Sequence, residues 1–296
     1  MTTSLTGIPI PFFRVNAFTT DRFRGNTAGV CLIPGRPDDG GQADAAPAVA
    51  DGGAALFNDT AVLQSIASEN NHPATAFLHR IPEGFALRWF SASRELPLCG
   101  HGTLAAAQVL AEHGWLTSET PAHFQTIGGP LIVRLLPGNG REGDWMEMEF
   151  PAFPLVPAVL PEPLARSFGV APRQVLFAHD RFLVELESEA AVRNYQPDFE
   201  LLREHRVIIT AVSDPEKTYD FVSRFFGMPF GVPEDAVTGS AHCALTPYWA
   251  ERLGKTTLLA YQASSRGGML RVRLEKGDKV FIAGQAITVL KGDLIL

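Results

Sequence analysis

Cysteine is scarce in this chain, with only Cys31, Cys99 and Cys243 among 296 residues. An odd number without C-x-x-C spacing favours neither a disulfide framework nor a zinc site, so free thiols are expected. Long apolar runs are missing too: none approaches the ~20 residues that span a bilayer. The opening MTTSLTGIPIPFF has neither the basic stretch nor the long apolar stretch of a signal peptide. The expected location is therefore cytoplasmic, where the sequon Asn58-Asp59-Thr60 carries no sugar. Basic charge is in short supply, 25 Lys and Arg against 32 Asp and Glu for a net charge of −7. No broad positive field is available to attract phosphates, and nucleic acid is not an expected partner. A P-loop, a G-x-G-x-x-G after a strand and a metal-ligand constellation are all absent, so neither nucleotide nor metal is expected.

What is present is an apolar content of 46% in a chain long enough for two ordinary domains, enough to bury a sizeable core. Short or alternating apolar runs bounded by turn residues recur as FFRVNAF, AGVCLI, TAFLHR, FALRWFS, LIVRLL, WMEMEF, FLVEL, RVIITAV, DFVSRFF, MLRVRL, KVFIAG and AITVLKGDLIL. They read as strands. Helical patterns cover Asn58 to Asn70, Gly102 to Glu112, Pro197 to His205 and Ser240 to Arg252, and the balance predicts a strand-rich α+β protein. Residues 36 to 57 lack periodicity and read as a mobile surface loop. The stretch TIGGP at 126 to 130 is the best candidate for a linker.

One pattern occurs twice. LPLCGHGTLAAAQVLAEHGW, from Leu96 to Trp115, sets a Cys, a His and glycines in front of an Ala-rich helix. Laying Cys99 over Thr238 brings Gly100 onto Gly239, His101 onto Ser240, Gly102 onto Ala241, and Ala111-Glu112 onto Ala250-Glu251. A repeat of this length points to two copies of one α+β unit with equivalent helix mouths brought together. The first N–H groups of a helix have no internal partner, and the aligned peptide dipoles leave about half a positive charge there. Gly100, His101, Gly102, Gly239, Ser240 and Ala241 are accordingly expected to cradle a small carboxylate.

The segments RVNAFTTDRFRGNTAGVCL, QSIASENNHPATAFL, LRWFSASRELPLCGHGTLAAA, GVPEDAVTGSAHCALTPYWAERLGK and YQASSRGGMLRVRL resemble, in order, the signature segments of the PhzF-like isomerases of phenazine biosynthesis. The likeness runs from about residue 13 to the C-terminus. It implies the diaminopimelate epimerase fold, with two pseudo-symmetric domains, each a curved, mostly antiparallel sheet around a central helix. It also implies an active site in the cleft between the domains, no cofactor, and commonly a homodimer. The expected domains are 1–126 and 127–284, with a final strand at about 285–296 crossing back to the first.

The resemblance also frames the chemistry. Epimerases of this fold hold a cysteine at each mouth, whereas here Cys99 is matched by Thr238, whose hydroxyl is too weak an acid or base at neutral pH. Two-base racemisation is thus not expected, while one-sided chemistry by a Cys99-dependent dehydratase stays open as an alternative. The PhzF-like isomerases use a glutamate in a segment reading approximately Asn-Leu-Ser-Glu-Thr-x-Phe, and here that glutamate is Ala74. Losing a general acid or base commonly costs a factor of 10²–10⁴.

Asp235, just before the second mouth, is the best surviving carboxylate, with His101 and Cys99 as further proton-transfer candidates. His72, two residues before Ala74, shares its face if the segment is extended. Glu69 is read as supporting structure, and His242 and Cys243 as packing or capping groups. Asn16 and Asn26 match cleft-lining segments, with a tight turn the other reading for Asn26. Arg266 is expected either to pair with a carboxylate or to brace the hinge. Three functions follow: a PhzF-like isomerase acting on a small carboxylate-bearing metabolite, a non-catalytic relative that binds a small acid or a protein, and the dehydratase.

Overall fold

The computed structural model describes residues 9–34, 52–138, 143–169, 171–275 and 278–296. It is an α+β protein of many strands and few helices, divided into two compact units. The first comprises Met1–Phe23, Thr27–Met148 and Gly284–Leu296, and the second Arg24–Asn26 and Glu149–Ala283. Among the described residues no helix is long and apolar enough to cross a membrane.

The first unit begins with β1 (Pro9–Ala17) and β2 (Asn26–Ile33), followed by α1 (Gly52–Asn58), α2 (Thr60–Asn70), β3 (Ala74–Ile81) and β4 (Gly84–Phe90). β2 and β3 pair in parallel, so the chain between them must cross over, and α2 lies within that crossover. Asp59 caps α2 by accepting the N–H groups of Ala61 and Val62, and Asn71 in the left-handed region ends it. A short β5 (Glu95–Leu96) leads to α3 (Gly100–Glu112). This helix buries eight residues, from Gly102 to Leu110, and packs on β1 and β3. An Ala-rich helix has a thin cross-section, which suits burial on several sides. β6 (Ala122–Gln125), β7 (Leu131–Leu136) and β8 (Trp145–Pro151) then run as an antiparallel meander.

The second unit contains β9 (Leu155–Pro157), α4 (Glu162–Arg166), β10 (Gln174–Ala178), β11 (Arg181–Glu185), α5 (Glu189–Asn194) and β12 (Val207–Val212). β13 (Phe221–Gly227), β14 (Val232–Asp235), α6 (Gly239–Leu253), β15 (Thr257–Gln262), β16 (Gly268–Glu275) and β17 (Lys279–Gly284) follow. Among the described residues β11 pairs in parallel with β12 and β13 with β15, while β9–β10, β10–β11, β12–β13, β13–β14, β15–β16 and β16–β17 are antiparallel. α6 is buried at ten positions and packs on β15 and β16. Pro247 lies inside it and has no N–H for the Cys243 carbonyl one turn earlier; the Phe153 N–H takes that carbonyl instead, at 2.9 Å. Gly254 in the left-handed region closes the helix. The last strand, β18 (Ala286–Ile295), belongs to the first unit and pairs along the whole length of β1.

Several expectations are corrected here. TIGGP is not a linker but the turn between β6 and β7, with Thr126 Oγ1 donating to the Gly129 carbonyl at 2.6 Å. The division falls at Met148/Glu149 rather than 126/127, because β7 and β8 continue the sheet of the first unit. Of the loop expected at 36 to 57, residues 36–51 lie outside the described residues, and Gly52–Asn58 is helical. No helix covers Pro197 to His205. Asp198 turns the chain there by accepting the N–H groups of Glu200 and Leu201.

Candidate functional site

The two mouths share a backbone device. Cys99 precedes α3 at φ −147°, ψ 97°, and Thr238 precedes α6 at φ −114°, ψ 100°, so both N-cap residues are extended. Neither side chain caps its helix. For Thr238 this is a choice against propensity, since threonine is a favoured cap; its hydroxyl donates instead to Asp235 Oδ2 at 2.5 Å. The leading N–H groups, those of Gly100, His101 and Gly102 in α3 and of Gly239 and Ser240 in α6, are thereby left to other acceptors, while the Ala241 N–H donates to the Thr238 carbonyl at 3.2 Å.

At the mouth of α3, Cys99 is buried, and its Sγ lies 3.5 Å from His101 Nδ1 and 3.8 Å from Nε2. This is a thiol beside an imidazole, a pairing that can move a proton. Half-buried His101 follows Gly100, and Gly102 then lets the helix approach the fully buried Trp89. A Cβ on Gly102 would stand 2.8 Å from Trp89 Cδ1 and 3.0 Å from Cys99 Sγ. Alanine at this position would gain up to ~1 kcal/mol of helix propensity, against ~1–3 kcal/mol of overpacking. Gly102→Ala is therefore expected to lower stability in urea unfolding and to change the alkylation rate of Cys99. Equal stability and reactivity would show that Trp89 yields at no cost.

At the mouth of α6, both oxygens of half-buried Asp235 are occupied, Oδ2 by Thr238 and Oδ1 by Asn26 Nδ2 at 2.7 Å. Asn26 Nδ2 also donates to the Val237 carbonyl at 2.9 Å. These two acceptors fix the orientation of the amide, and Asn26 Oδ1 is left buried without a partner among the described residues. Gln262 ties the loop from both ends, accepting the Thr238 N–H at 2.8 Å and donating to the Asp235 carbonyl at 2.9 Å. Asn26 thus supports the carboxylate rather than forming a bare turn.

His242, fully buried one turn into α6, donates Nδ1–H to the Thr238 carbonyl at 2.9 Å, while Cys243 packs beside it in the buried face. Burial pushes the His242 pKa down from 6.5 to about 4. The unfolded chain therefore holds more protons between these values, and stability is complete above pH 6.5 and falls as the pH drops toward 4. The loss amounts to about 3 kcal/mol. His242→Gln, which keeps a donor for Thr238, is expected to flatten this part of the curve of urea midpoint against pH. A slope unchanged in the variant would assign the acid sensitivity elsewhere.

The remaining candidates are brought in less directly. Asn16 is buried in the first unit, donating to the Arg22 carbonyl at 2.5 Å and accepting from Thr27 Oγ1 at 2.8 Å, so it shapes the connection from β1 to β2. Arg266 spends two donors on the carbonyls of Gly25 and Arg24, at 2.7 and 2.9 Å, and braces that segment. His72 precedes β3 and stacks on Phe12, with burial and then Arg14 holding its pKa below the usual range. Ala74 is 0% exposed and opens β3 in register with Ala28. Glu69 stands near the end of α2.

Arg181 was not anticipated. It is the first residue of β11 and only 5% exposed, yet Nη1 reaches Ser240 Oγ in the first turn of α6 at 3.0 Å. The only local signal is a charged Asp180-Arg181 pair leading into a strand.

Residues 15–292 match the family model described as phenazine biosynthesis-like protein. An uncharacterized isomerase from Halalkalibacterium halodurans is 40% identical over 97% of this chain and 98% of its own. A crystal structure from the PhzF family of Enterococcus faecalis has a TM-score of 0.82 at 33% identity, covering 98% of this chain and 100% of that one. At the level of fold alone, a hydroxyproline epimerase from Agrobacterium vitis aligns with a TM-score of 0.57 at 13% identity, over 97% and 93% of the two chains.

Proposed function

The chain belongs to the phenazine biosynthesis-like protein family, and from that premise we propose that it is a cofactor-independent isomerase moving a proton on a small carboxylate-bearing metabolite. The observation that carries this reading is the pair of uncapped helix mouths, each set beside a group able to exchange a proton. At either mouth the leading backbone N–H groups, those of Gly100 and Gly102 or those of Gly239 and Ser240, stabilise negative charge on a substrate acid or on the enolate-like intermediate that proton removal creates. Asp235, held by Asn26 and Thr238, is the carboxylate best placed to take the proton. His101 and Cys99 are the alternative carriers. The finer architecture proposed with this function is the diaminopimelate epimerase plan, in which each unit curves a mostly antiparallel sheet around its long helix, α3 or α6.

The Cys99–His101 contact favours a second reading, a dehydratase in which the thiolate removes an α-proton and a β-hydroxyl leaves. Incubation in heavy water with a panel of small hydroxy and amino acids, followed by NMR of α-deuterium, separates the two. Exchange that survives Cys99→Ser and is lost in Asp235→Asn supports the isomerase. The reverse pattern supports the dehydratase. Tight acid binding without exchange across the panel would favour a non-catalytic relative.

A further inference from the structure

Arg181 is an expensive residue to bury, and its surroundings show how the fold holds it. Nε donates to Asp180 Oδ1 at 2.6 Å, and Asp180 is also paired with Arg206. The guanidinium carbon lies 5.1 Å from the Phe225 ring centroid and 5.7 Å from that of Phe153. Two aromatic faces and a carboxylate thus confine a planar cation. Such an arrangement costs desolvation, which Asp180 and the rings offset only in part.

The fixed cation directs Nη1 at Ser240 Oγ, and this settles the role of that hydroxyl. A guanidinium only donates, so Ser240 Oγ must accept, and its own proton points elsewhere. Among the described residues no acceptor takes that proton. Ser240 is half-buried, which leaves it within reach of a ligand. The hydroxyl lies in the same turn as the leading N–H groups of Gly239 and Ser240.

We propose that Arg181 is a positioning residue that commits the Ser240 hydroxyl to donate to an anion, adding a second kind of donor to the α6 mouth and selecting a carboxylate oxygen of the substrate. The inference rests on the acid-substrate reading above. It narrows the ligand class at this mouth to groups able to accept, because a substrate ammonium, which only donates, would confront the Ser240 proton and the helix N–H groups together.

The test uses the whole chain and sodium acetate as probe, with sodium chloride at equal ionic strength as reference, following backbone amides by NMR. Acetate is expected to shift Gly239, Ser240 and Ala241. Ser240→Ala and Arg181→Gln should each weaken apparent acetate affinity by about tenfold, the scale of one hydrogen bond to a charged group. The double variant should bind no worse than the weaker single one, because both remove the same donor. Arg181→Lys, which keeps the charge but not the fork, should recover part of the loss.

Wild-type amides that do not respond to acetate, or losses that simply add in the double variant, would overturn the proposal. Should Arg181→Gln fail to fold, Ser240→Ala alone decides, since an unchanged affinity in that variant also overturns it. Arg181-dependent acetate binding without any deuterium exchange would sink the isomerase reading while leaving this inference standing. Exchange that persists alongside acetate binding independent of Arg181 would do the opposite.

Discussion

Asp235→Asn is expected to slow α-deuterium exchange by 10²–10⁴-fold, the usual consequence of losing a general acid or base. The change is nearly isosteric, but it converts one carboxylate oxygen into a donor. Oδ1 now accepts from Asn26 and Oδ2 from Thr238, so the variant keeps both contacts by setting its amide oxygen toward Asn26 and its N–H₂ toward Thr238, whose hydroxyl turns to accept. The structural cost should be about 1 kcal/mol, the scale of a charge-assisted hydrogen bond replaced by a neutral one. Exchange and stability therefore separate the roles: a drop of two or more orders in exchange with a modest shift of the urea midpoint assigns Asp235 to chemistry. A variant that unfolds, or one that exchanges at the parent rate, would reduce Asp235 to a loop brace.

Ala74→Glu, which restores the residue used by the family resembled in the sequence, is expected to destabilise the protein rather than activate it. Ala74 is 0% exposed, and its register partner Ala28 is equally buried. Strand alternation places it on the same face as Ala76 and, across β4, as Trp89, whose ring lies close to Gly102. Alanine and a packed indole leave that face closed where a carboxylate would have to stand. A glutamate there combines overpacking of ~1–3 kcal/mol with several kcal/mol of charge desolvation. We expect a fall in Tm of roughly 10 °C or more by calorimetry, with exchange no faster than in the parent. A stable Ala74→Glu variant with faster exchange would show that this face opens and that a glutamate base works there.

Much of the fold was legible in the sequence because its signals are local. Alternation in FFRVNAF, TAFLHR and KVFIAG marks β1, β3 and β17 directly, and the duplicated Gly-rich approach marks the starts of α3 and α6 to within two residues. Short elements were not legible. α1, α4 and α5 are too brief for a periodic pattern, and β9 and β14 too short for alternation. TIGGP looked like a linker because a hairpin turn and a domain boundary use the same residues.

The chain order of residues by itself determined that there would be two helix mouths, that the second would carry a threonine opposite the first one's cysteine, and that position 74 would have no carboxylate. Only the tertiary structure decided that Thr238 turns its hydroxyl to Asp235 instead of capping α6, that Asn26 holds the other oxygen, and that Arg181 is buried against Ser240. The reason is physical: helix starts and strand faces follow from neighbours a few positions away, whereas the fate of a polar side chain depends on which distant donor or aromatic face the fold sets beside it once water is gone.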